Sequence, residues 1–323
     1  MAAAAARSTA ILRRSLLYVP ASSQKMLTKS LGLISDNVTY DLEDSVTPSL
    51  KPQARQQLKA HISSLKSRPR FISELAVRVN AVSTAFALDD LTALSAAPLV
   101  DAIVVPKVES AADLTFVSDV LRHVAPERHT VDSSNPIKII ALIESARAVM
   151  DLASICRASP YLSGLIFAAE DFALDLSITR TPSLTEFLYA RSAIVTAARA
   201  AALPSAIDLV CTSYRGEEGI GRLAEECAGG RSMGFNGKQC IHPDQLETVQ
   251  RLFAPSPDEV HWAMRVVIAD EKAAAQGRGA WTLDGKMIDA PVVGKARAVV
   301  AKAKQCGFDV AGLRSKWNSQ EPE

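Results

Sequence analysis

The fold is decided by two stretches, Ile139-Ile140-Ala141-Leu142-Ile143-Glu144 and Gly164-Leu165-Ile166-Phe167-Ala168-Ala169-Glu170-Asp171. Each is a run of apolar residues that stops at an acidic one. Continuous apolar runs of this length are typical of parallel strands that are buried on both faces. Because the carboxyl ends of parallel strands meet at one edge, we expect Glu144 and Asp171 to emerge together, where α/β folds collect their ligands.

Short apolar runs alternate with longer helical patterns along most of the chain. The predicted strands are 15–19, 37–42, 75–79, 101–105, 138–143, 164–169, 207–211 and 233–236. The predicted helices include 50–66, 110–123, 145–156, 184–202 and 216–228. This alternation indicates a parallel sheet, and eight such strands favour a closed (β/α)8 TIM barrel of the α/β class.

A six-stranded doubly wound sheet is the alternative fold. It is disfavoured because no GxGxxG turn follows the first predicted strand. A Gly-x-x-Gly-x-Gly pattern does occur at 216–221, but it follows a late strand, and we interpret it as a loop.

The character of the chain changes after residue 254. Pro255 and Pro257 break the barrel pattern, and 259–276 then predicts one amphipathic helix. A hairpin with Asp284-Gly285 at its turn and a last helix over 291–305 follow. The predicted organisation is a leader at 1–12, a TIM barrel at 13–254, and a C-terminal helical and hairpin arm or lid at 255–323 that contributes to a neighbouring subunit.

Composition excludes several classes of protein. The 323 residues are 48% hydrophobic and carry a formal net charge of +1, which argues against partners such as nucleic acid or a membrane surface. No apolar run approaches the roughly 20 residues that a membrane span needs. The five cysteines are odd in number and form no CxxC, so we expect buried thiols rather than disulfides or a zinc site.

The first residues have the composition of a targeting segment. Met1 and five alanines are followed by Arg7, Arg13 and Arg14, and no acidic residue precedes Asp36. Arginine and serine without acids are typical of a mitochondrial presequence. The alternative is an alanine-rich leader with no targeting function, in which case the protein would stay in the cytoplasm.

Polar side chains gather where the predicted strands end. They are Tyr18, Asp41, Glu43, Asp44, Arg78, Asn80, Lys107, Glu109, Glu144, Asp171, Asn236, Lys238, Gln239 and His242. A cluster of ionisable residues on one face of a barrel is a candidate active site. Two hard oxygen ligands with room for water and substrate are suited to Mg²⁺, so Glu144 and Asp171 are the predicted metal ligands.

These residues also have structural interpretations. Glu144 and Asp171 could cap the helices that follow them, since acids are favoured at helix N-termini. Glu170 is interpreted as supporting its neighbour rather than binding the metal, because successive residues on a strand point to opposite faces. Lys107 is interpreted as an ion-pair partner of the acids after the second strand, in preference to a Schiff-base lysine.

The remaining chemistry is metal-assisted. The chain contains neither a Gly-x-Ser-x-Gly elbow nor a P-loop, and no Ser/His/Asp or Cys/His arrangement is evident. Two carboxylates together with Arg78 suit an α-keto or α-hydroxy acid, whose oxygens Mg²⁺ would chelate while positive charge stabilises an enolate.

Nine motifs, in order along the chain, resemble those of citrate lyase β-subunit-like proteins in the HpcH/HpaI aldolase superfamily. They are Arg14-Ser15-Leu16-Leu17-Tyr18-Val19-Pro20, Asp41-Leu42-Glu43-Asp44-Ser45-Val46, Arg78-Val79-Asn80, Pro106-Lys107-Val108-Glu109, Ile143-Glu144-Ser145-Ala146, Glu170-Asp171-Phe172, Ile207-Asp208, the segment from Gly234 to Pro243, and Met287-Ile288-Asp289. The last motif is most similar to the citramalyl-CoA lyase-like branch.

The resemblance implies an enzyme: a TIM barrel that binds an acyl-CoA, a small keto acid and Mg²⁺, as a homotrimer or a dimer of trimers. It places Glu144 and Asp171 on the metal ligands and Arg78 on the substrate arginine. Tyr18, Lys25, Lys29, Gln239 and Cys240 fall on positions that contact substrate or CoA. Asp289 falls on the catalytic aspartate, which in relatives reaches the active site of a neighbouring subunit.

The expected reaction is Mg²⁺-dependent cleavage of citramalyl-CoA to acetyl-CoA and pyruvate, or of malyl-CoA to acetyl-CoA and glyoxylate, through an enolate. The alternatives are a malate synthase or thioesterase activity on the same substrates, and a non-catalytic CoA-binding subunit of a lyase complex. Ala21 and Ala168-Ala169 stand where relatives often have glycine, and Cys211-Thr212-Ser213-Tyr214 is not the commonest form of its segment. These departures affect the expected substrate size and CoA docking, and none removes a reacting group.

Overall fold

A computed structural model describes residues 11–323 of the chain. The chain divides into two compact units, the first ending at Gln250 and the second covering Arg251–Glu323. The sequence predicted this boundary four residues later, after residue 254. The predicted leader at 1–12 lies outside the described residues except for Ile11 and Leu12.

The first unit is a closed barrel of parallel strands, which confirms the predicted fold. Its strands are β1 (Ser15–Pro20), β2 (Ser35–Asp41), β3 (Ile72–Arg78), β4 (Ala102–Val105), β5 (Lys138–Ile143), β6 (Leu162–Phe167), β7 (Ser205–Asp208) and β8 (Gly237–Cys240). Its helices are α1 (Gln24–Ser30), α2 (Lys51–Ser63), α3 (Ala87–Leu94), α4 (Ala111–Val124), α5 (Ala146–Met150), α6 (Leu152–Ile155), α7 (Ala169–Leu176), α8 (Leu188–Ala200), α9 (Gly216–Ser232) and α10 (Leu246–Phe253). Each strand pairs with the next, and β8 closes the ring against β1.

The predicted eighth strand at 233–236 is wrong. Those residues form the turn after α9, where Gly234 has a φ of +99° and the amide of Phe235 donates to Gly230 O. The true strand β8 contains the polar residues Lys238 and Gln239, so it does not form an apolar run that would identify it as a buried strand. Strand β7 also begins and ends earlier than the predicted 207–211.

One helix prediction and one loop interpretation are also corrected. The segment 145–156 forms two short helices, α5 and α6, which are separated by Asp151. The backbone of Asp151 is not helical, because its ψ is 15°. The Gly-x-x-Gly-x-Gly pattern at 216–221 is the beginning of α9 rather than a loop.

The barrel interior is apolar in its middle and polar at its amino end. Its apolar layers are formed by Leu16, Ala76, Ala102, Val104, Ile140, Leu142, Ile166 and Ile207. At the amino ends of the strands, the buried Arg13 donates from Nε and Nη2 to Glu74, at 2.7 and 2.8 Å, and from Nη1 to Ser205 Oγ at 2.8 Å. Paired charges therefore occupy the interior at this end of the barrel, and the polar side chains of the predicted site lie at the other end.

The second unit has an apolar core of its own. It contains α11 (Pro257–Ala275), the antiparallel strands β9 (Trp281–Leu283) and β10 (Lys286–Ile288), α12 (Ala290–Gln305) and α13 (Val310–Lys316). The predicted hairpin is confirmed: Asp284 and Gly285 both have positive φ, as a two-residue type I′ turn requires. The side chains of Trp281, Leu283, Ile288 and Val293 are buried with the apolar face of α11.

The expectation of buried thiols is confirmed for Cys156, Cys211, Cys227 and Cys240. Within residues 11–323, no helix is both long enough and apolar enough to cross a membrane.

Gly237 is required where β8 closes the barrel. A Cβ at this position would collide with the carbonyl oxygens of Arg13 and Arg14, lying 2.5 Å from that of Arg14. Both oxygens belong to backbone that cannot move without opening the ring. We expect Gly237→Ala to lower the free energy of unfolding by about 1–3 kcal/mol, measured by urea denaturation followed by circular dichroism.

The matched control is Gly221→Ala. A Cβ at Gly221 meets no atom within 4 Å, and the residue lies inside α9. Alanine there should raise the free energy of unfolding by about 0.5–1 kcal/mol, because glycine loses more backbone entropy on folding. Equal stabilities of the two variants would show that the close approach at Gly237 does not constrain the barrel.

Candidate active site

An arginine–carboxylate pair joins two neighbouring strands at the carboxyl rim of the barrel. Asp41 ends β2 and Arg78 ends β3, and the two residues face each other in the strand register. Arg78 donates from Nε and Nη2 to the two oxygens of Asp41, both at 2.7 Å, and its guanidinium lies 4.5 Å from the ring centroid of Tyr18. Burial alone would raise the pKa of Asp41, but the bonds from Arg78 hold that pKa below its usual value. The guanidinium is therefore fixed in position and charged.

Arg78 also faces the loop that follows β2. Its Nη1 lies 3.0 Å from Glu43 Oε2 and 3.6 Å from Asp44 Oδ2, as ionic contacts. Burial raises the pKa of Glu43 even though Arg78 and Lys107 oppose the shift. Of the five N–H donors of Arg78, two are hydrogen-bonded within residues 11–323, both to Asp41, and Nη1 has ionic contacts alone, so N–H groups remain that a ligand can bind.

Lys107 connects the two predicted metal ligands. Its backbone has a φ of +50°, and its amide donates to Glu144 Oε1 at 2.7 Å. Its ammonium lies 2.6 Å from Glu43, 3.7 Å from Asp44 and 3.8 Å from Asp171. The predicted ion pair between Lys107 and the acids after the second strand is confirmed. One residue thus holds Glu144 with its main chain and approaches Asp171 with its side chain.

Glu144 does not cap the helix that follows it, so that alternative is wrong. The N-terminus of α5 is capped by Ser145, whose hydroxyl accepts from Ala148 N at 3.1 Å. Glu144 is 5% exposed and points instead toward Lys107. Burial, together with the nearby charges of Asp171 and Glu43, raises the pKa of Glu144 to about 7.

Asp171 lies on a helix, not on the end of a strand. Strand β6 ends at Phe167, and Glu170 and Asp171 belong to the first turn of α7. The strand alternation that was used to separate Glu170 from Asp171 therefore does not apply. The two side chains nevertheless have different partners, because Glu170 accepts from Arg180 at 2.5 Å while Asp171 faces Lys107.

A cavity of about 400 Å³ opens beside these groups. Its lining includes Tyr18, Asp41, Asp44, Arg78, Leu142, Ala168, Glu170, Asp171, Val210, Gln239 and Ile241. Five carboxylates (Asp41, Glu43, Asp44, Glu144, Asp171) lie around the two cations Arg78 and Lys107, which are next to this cavity or line it. This excess of negative charge suits a divalent cation.

The donor set suits Mg²⁺ in particular. No cluster of three or more His, Cys, Asp or Glu side chains arranged to hold a metal occurs in residues 11–323. Mg²⁺ is commonly bound through one or two carboxylates and otherwise by water and substrate oxygens. Glu144 and Asp171 fit that pattern.

Tyr18 and Gln239 brace the floor of the cavity. Tyr18 donates its hydroxyl hydrogen to Gln239 Oε1 at 2.9 Å, and Gln239 Nε2 donates to Phe167 O and Asp208 O at 2.9 and 3.1 Å. Burial raises the pKa of Tyr18, so its phenol keeps its proton. Because both amide hydrogens of Gln239 are used by the protein, its side chain orients the cavity floor more than it offers donors to a ligand.

The other predicted site residues lie in different surroundings. The side chain of Cys240 is fully buried, and burial raises the pKa of its thiol. Lys25 and Lys29 are exposed on α1, which follows β1. Asp289 belongs to the second unit, where its carboxylate caps α12 by accepting from Val292 N at 3.2 Å. The cavity therefore brings together Tyr18, Arg78, Asp171 and Gln239, with Glu144 linked to them through Lys107, and it excludes the thiol of Cys240.

One buried residue behind the site was not predicted from the sequence. Lys51 begins α2, and its ammonium donates to Leu42 O at 3.0 Å, to Glu43 O at 2.8 Å and to Asn80 Oδ1 at 2.5 Å. It fixes the backbone of the loop that carries Glu43. A lysine between Leu50 and Pro52 in a polar helix has the pattern of a surface residue, so no sequence signal could have identified it.

The chain is similar to known proteins of one family. The model of the HpcH/HpaI aldolase/citrate lyase family matches residues 14–243. The chain is 37% identical to the citrate lyase subunit beta of Haemophilus influenzae, over 91% of this chain and 97% of that protein. It is 33% identical to the human mitochondrial citramalyl-CoA lyase, over 91% and 86%, and 36% identical to a (3S)-malyl-CoA thioesterase of Cereibacter sphaeroides, over 90% and 94%.

Solved structures agree as well. CitE from Mycobacterium tuberculosis, in complex with magnesium, acetoacetate and coenzyme A, superposes with a TM-score of 0.71 at 29% identity, covering 92% of this chain and 99% of that one. The resemblance in motifs, the closed barrel and these matches lead to one conclusion: the chain belongs to the HpcH/HpaI aldolase/citrate lyase family.

Proposed function

We propose that this protein is a Mg²⁺-dependent acyl-CoA carbon–carbon lyase. Its substrate is citramalyl-CoA, which it cleaves to acetyl-CoA and pyruvate, or malyl-CoA, which it cleaves to acetyl-CoA and glyoxylate. The observation that carries the proposal is the joint anchoring of Glu144 and Asp171 around Lys107, beside a guanidinium with unused donors. This arrangement offers ligands for a cation next to a fixed positive charge.

Glu144 and Asp171 would hold the Mg²⁺. When bound, the ion supplies Lewis-acid polarisation of the hydroxy-acid oxygens. The amide of Lys107 orients Glu144, and the ammonium of Lys107 offsets part of the negative charge that surrounds Asp171. Lys107 thereby fixes Glu144 and adjusts the charge near Asp171 before a substrate enters.

Arg78 is the group that would stabilise the enolate. In the cleavage step the substrate hydroxyl gives its proton to solvent water, its oxygen becomes the carbonyl oxygen of the released keto acid, and the electron pair of the broken carbon–carbon bond passes to the enolate of acetyl-CoA. Arg78 is locked by Asp41 and stacked on Tyr18, so its remaining N–H donors need no reorganisation as charge develops. Apolar lining residues such as Leu142 and Val210 limit water around that charge.

Asp289 would give the acetyl enolate its proton, and in the reverse direction would act as the general base on the acetyl methyl group. Lys25 and Lys29 would meet the CoA phosphates as point charges. We further propose a homotrimer in which Asp289 serves a neighbouring subunit. A mitochondrial location is supported by the composition of the first residues and by the mitochondrial human relative.

Two other functions have support among the relatives. The thioesterase relative favours hydrolysis of the thioester, which would release free CoA. The citrate lyase subunit favours a role inside a larger lyase complex, in which the isolated chain would be inactive. Both are distinguished from the proposed function by the products that the purified protein forms.

The deciding experiment is product release by the purified protein with citramalyl-CoA and malyl-CoA. We expect pyruvate or glyoxylate together with acetyl-CoA when Mg²⁺ is present, and neither product after chelation. Citramalyl-CoA should be preferred by at most a modest factor, since discrimination of one methyl group is worth about 1–3 kcal/mol. Free thiol as the main product would favour the thioesterase, and the absence of both products would favour the complex subunit.

Two variants accompany this assay. Glu144→Gln should weaken Mg²⁺ and keto-acid binding together, because the amide keeps the shape of the side chain but loses its charge. Glu225→Gln is the control, since Glu225 is an exposed residue of α9 whose partner is Arg222. Unchanged Mg²⁺ affinity in Glu144→Gln would remove Glu144 from the metal site.

Asp289→Asn tests the proposed proton donor. Asparagine caps helices about as well as aspartate, so α12 and the fold should be retained. We expect Mg²⁺ binding and thermal stability close to those of the unaltered protein and a loss of turnover by at least about 100-fold, as for loss of a general acid–base group.

The control is Asp309→Asn, which alters the same kind of cap at the start of α13 in the same unit. Its turnover should be unchanged. Near-normal turnover in Asp289→Asn would contradict the role proposed for Asp289.

A further inference from the structure

We propose that Arg180 is a positioning residue that holds the first turn of α7, and with it the carboxylate of Asp171, in the geometry that binds the divalent cation. Arg180 follows α7 in sequence and was not among the predicted site residues. The inference rests on the proposed function only in taking Asp171 as a ligand of that cation. It adds a residue that acts through another and touches neither substrate nor metal.

Three structural elements meet at the guanidinium of Arg180. Its Nη1 donates to Glu170 Oε1 at 2.5 Å, and Glu170 is the neighbour of Asp171 in the first turn of α7. Its Nη2 donates to Val210 O at 3.0 Å, just after β7, and to Glu226 Oε1 at 2.8 Å, on α9. Glu170 and Val210 both line the cavity. Arg180 therefore ties two walls of the cavity to the helix behind them.

The far end of this chain of contacts is buried in the barrel wall. Glu226 is 5% exposed, and its Oε2 lies 2.9 Å from the ammonium of Lys238, which is on β8 and fully buried. Charges of alternating sign thus run from Glu170 at the cavity to Lys238 inside the wall. A buried charge that leaves its partners incurs a large desolvation penalty. Arg180 is consequently anchored to a rigid part of the barrel.

A second contact fixes the other half of α7. Asp175 accepts from Ala146 N at 2.8 Å, and Ala146 lies two residues after Glu144. The Asp175 contact therefore holds the C-terminal half of α7 against the segment that carries Glu144. The first turn of α7 is held separately, through Glu170. Loss of Arg180 would release the turn that carries Asp171 and leave the Asp175 contact intact. The distance between the two ligand carboxylates would then no longer be fixed.

The test is the affinity of the full-length protein for Mg²⁺ in the presence of pyruvate, measured by isothermal titration calorimetry. Arg180→Met keeps much of the apolar stem and removes all three contacts. We expect its affinity to fall by about 10- to 100-fold, as for other residues that orient metal ligands. Arg180→Lys keeps the charge but not the forked geometry, and should recover part of the loss.

Arg222→Met is the matched control. Arg222 donates to Pro182 O, two residues after Arg180, and pairs with Glu225 on the surface of α9, so it holds the same loop without contacting α7. We expect its Mg²⁺ affinity to stay within about twofold of that of the unaltered protein, as for an exposed ion pair. An equal loss in Arg180→Met and Arg222→Met would overturn the inference, because the loop as a whole, and not the contact with Glu170, would then determine the affinity.

Glu170→Gln keeps the test decisive if Arg180→Met does not fold. The Glu170 side chain is half exposed, so its substitution leaves the buried Glu226–Lys238 pair in place. We expect a smaller loss of Mg²⁺ affinity, and the double variant should be no weaker than Arg180→Met alone, because both changes break one connection. Additive losses, or unchanged affinity in Arg180→Met and in Glu170→Gln, would overturn the inference.

The binding readout separates this inference from the proposed reaction. If Arg180→Met binds Mg²⁺ normally while the unaltered protein forms acetyl-CoA, the inference fails and the reaction stands. If Arg180→Met binds Mg²⁺ weakly while the unaltered protein cleaves no acyl-CoA, the inference stands and the proposed reaction is wrong. An unaltered protein that binds no Mg²⁺ would overturn both.

Discussion

The pairing of β8 with β1 is the contact on which the site depends, because it turns a sheet of parallel strands into a ring. Gly237 permits that contact, since its missing side chain lets β8 approach the backbone of Arg13 and Arg14. Because the strands are parallel, all their carboxyl ends face the same way, and closing the ring brings Asp41, Arg78 and Glu144 to one rim although they are far apart in sequence. The Arg13–Glu74 pair fills the opposite end. The fold therefore determines which end of the barrel can act on a ligand.

At that rim the cations serve mainly to hold carboxylates in place. Arg78 locks Asp41, Lys107 approaches Glu43 and Asp171, and Arg180 links Glu170 to the barrel wall. Each bond between opposite charges orients a side chain that would otherwise sample several rotamers. The negative charge that remains after this pairing is what a divalent cation would neutralise. A site of this kind is prepared before its ligands arrive, which is how electrostatic catalysis avoids reorganisation during the reaction.

The sequence predicted the barrel and the gathering of polar side chains at one rim, because buried parallel strands leave an apolar signal and their ends are polar. The prediction from sequence was wrong where a strand has no apolar run, and where an apolar run continues beyond the end of its strand. Strand β8 is hidden by Lys238 and Gln239, whose side chains are buried through pairing rather than through apolarity. The run that predicted β6 passes through Ala168 and Ala169 into α7, so Asp171 was placed on a strand. Lys51 and Arg180 have the local pattern of surface residues, and only contacts between distant segments reveal their positions.

Lys107 has one further consequence, which concerns how the site can change by mutation. Its amide holds Glu144, and its ammonium approaches Asp171. A codon change at position 107 can remove the ammonium, but every residue other than proline still supplies the amide. Substitutions at this position can therefore change the charge near Asp171, while the backbone hydrogen bond to Glu144 is retained. The backbone, with its left-handed turn at Lys107, is the more durable part of the site.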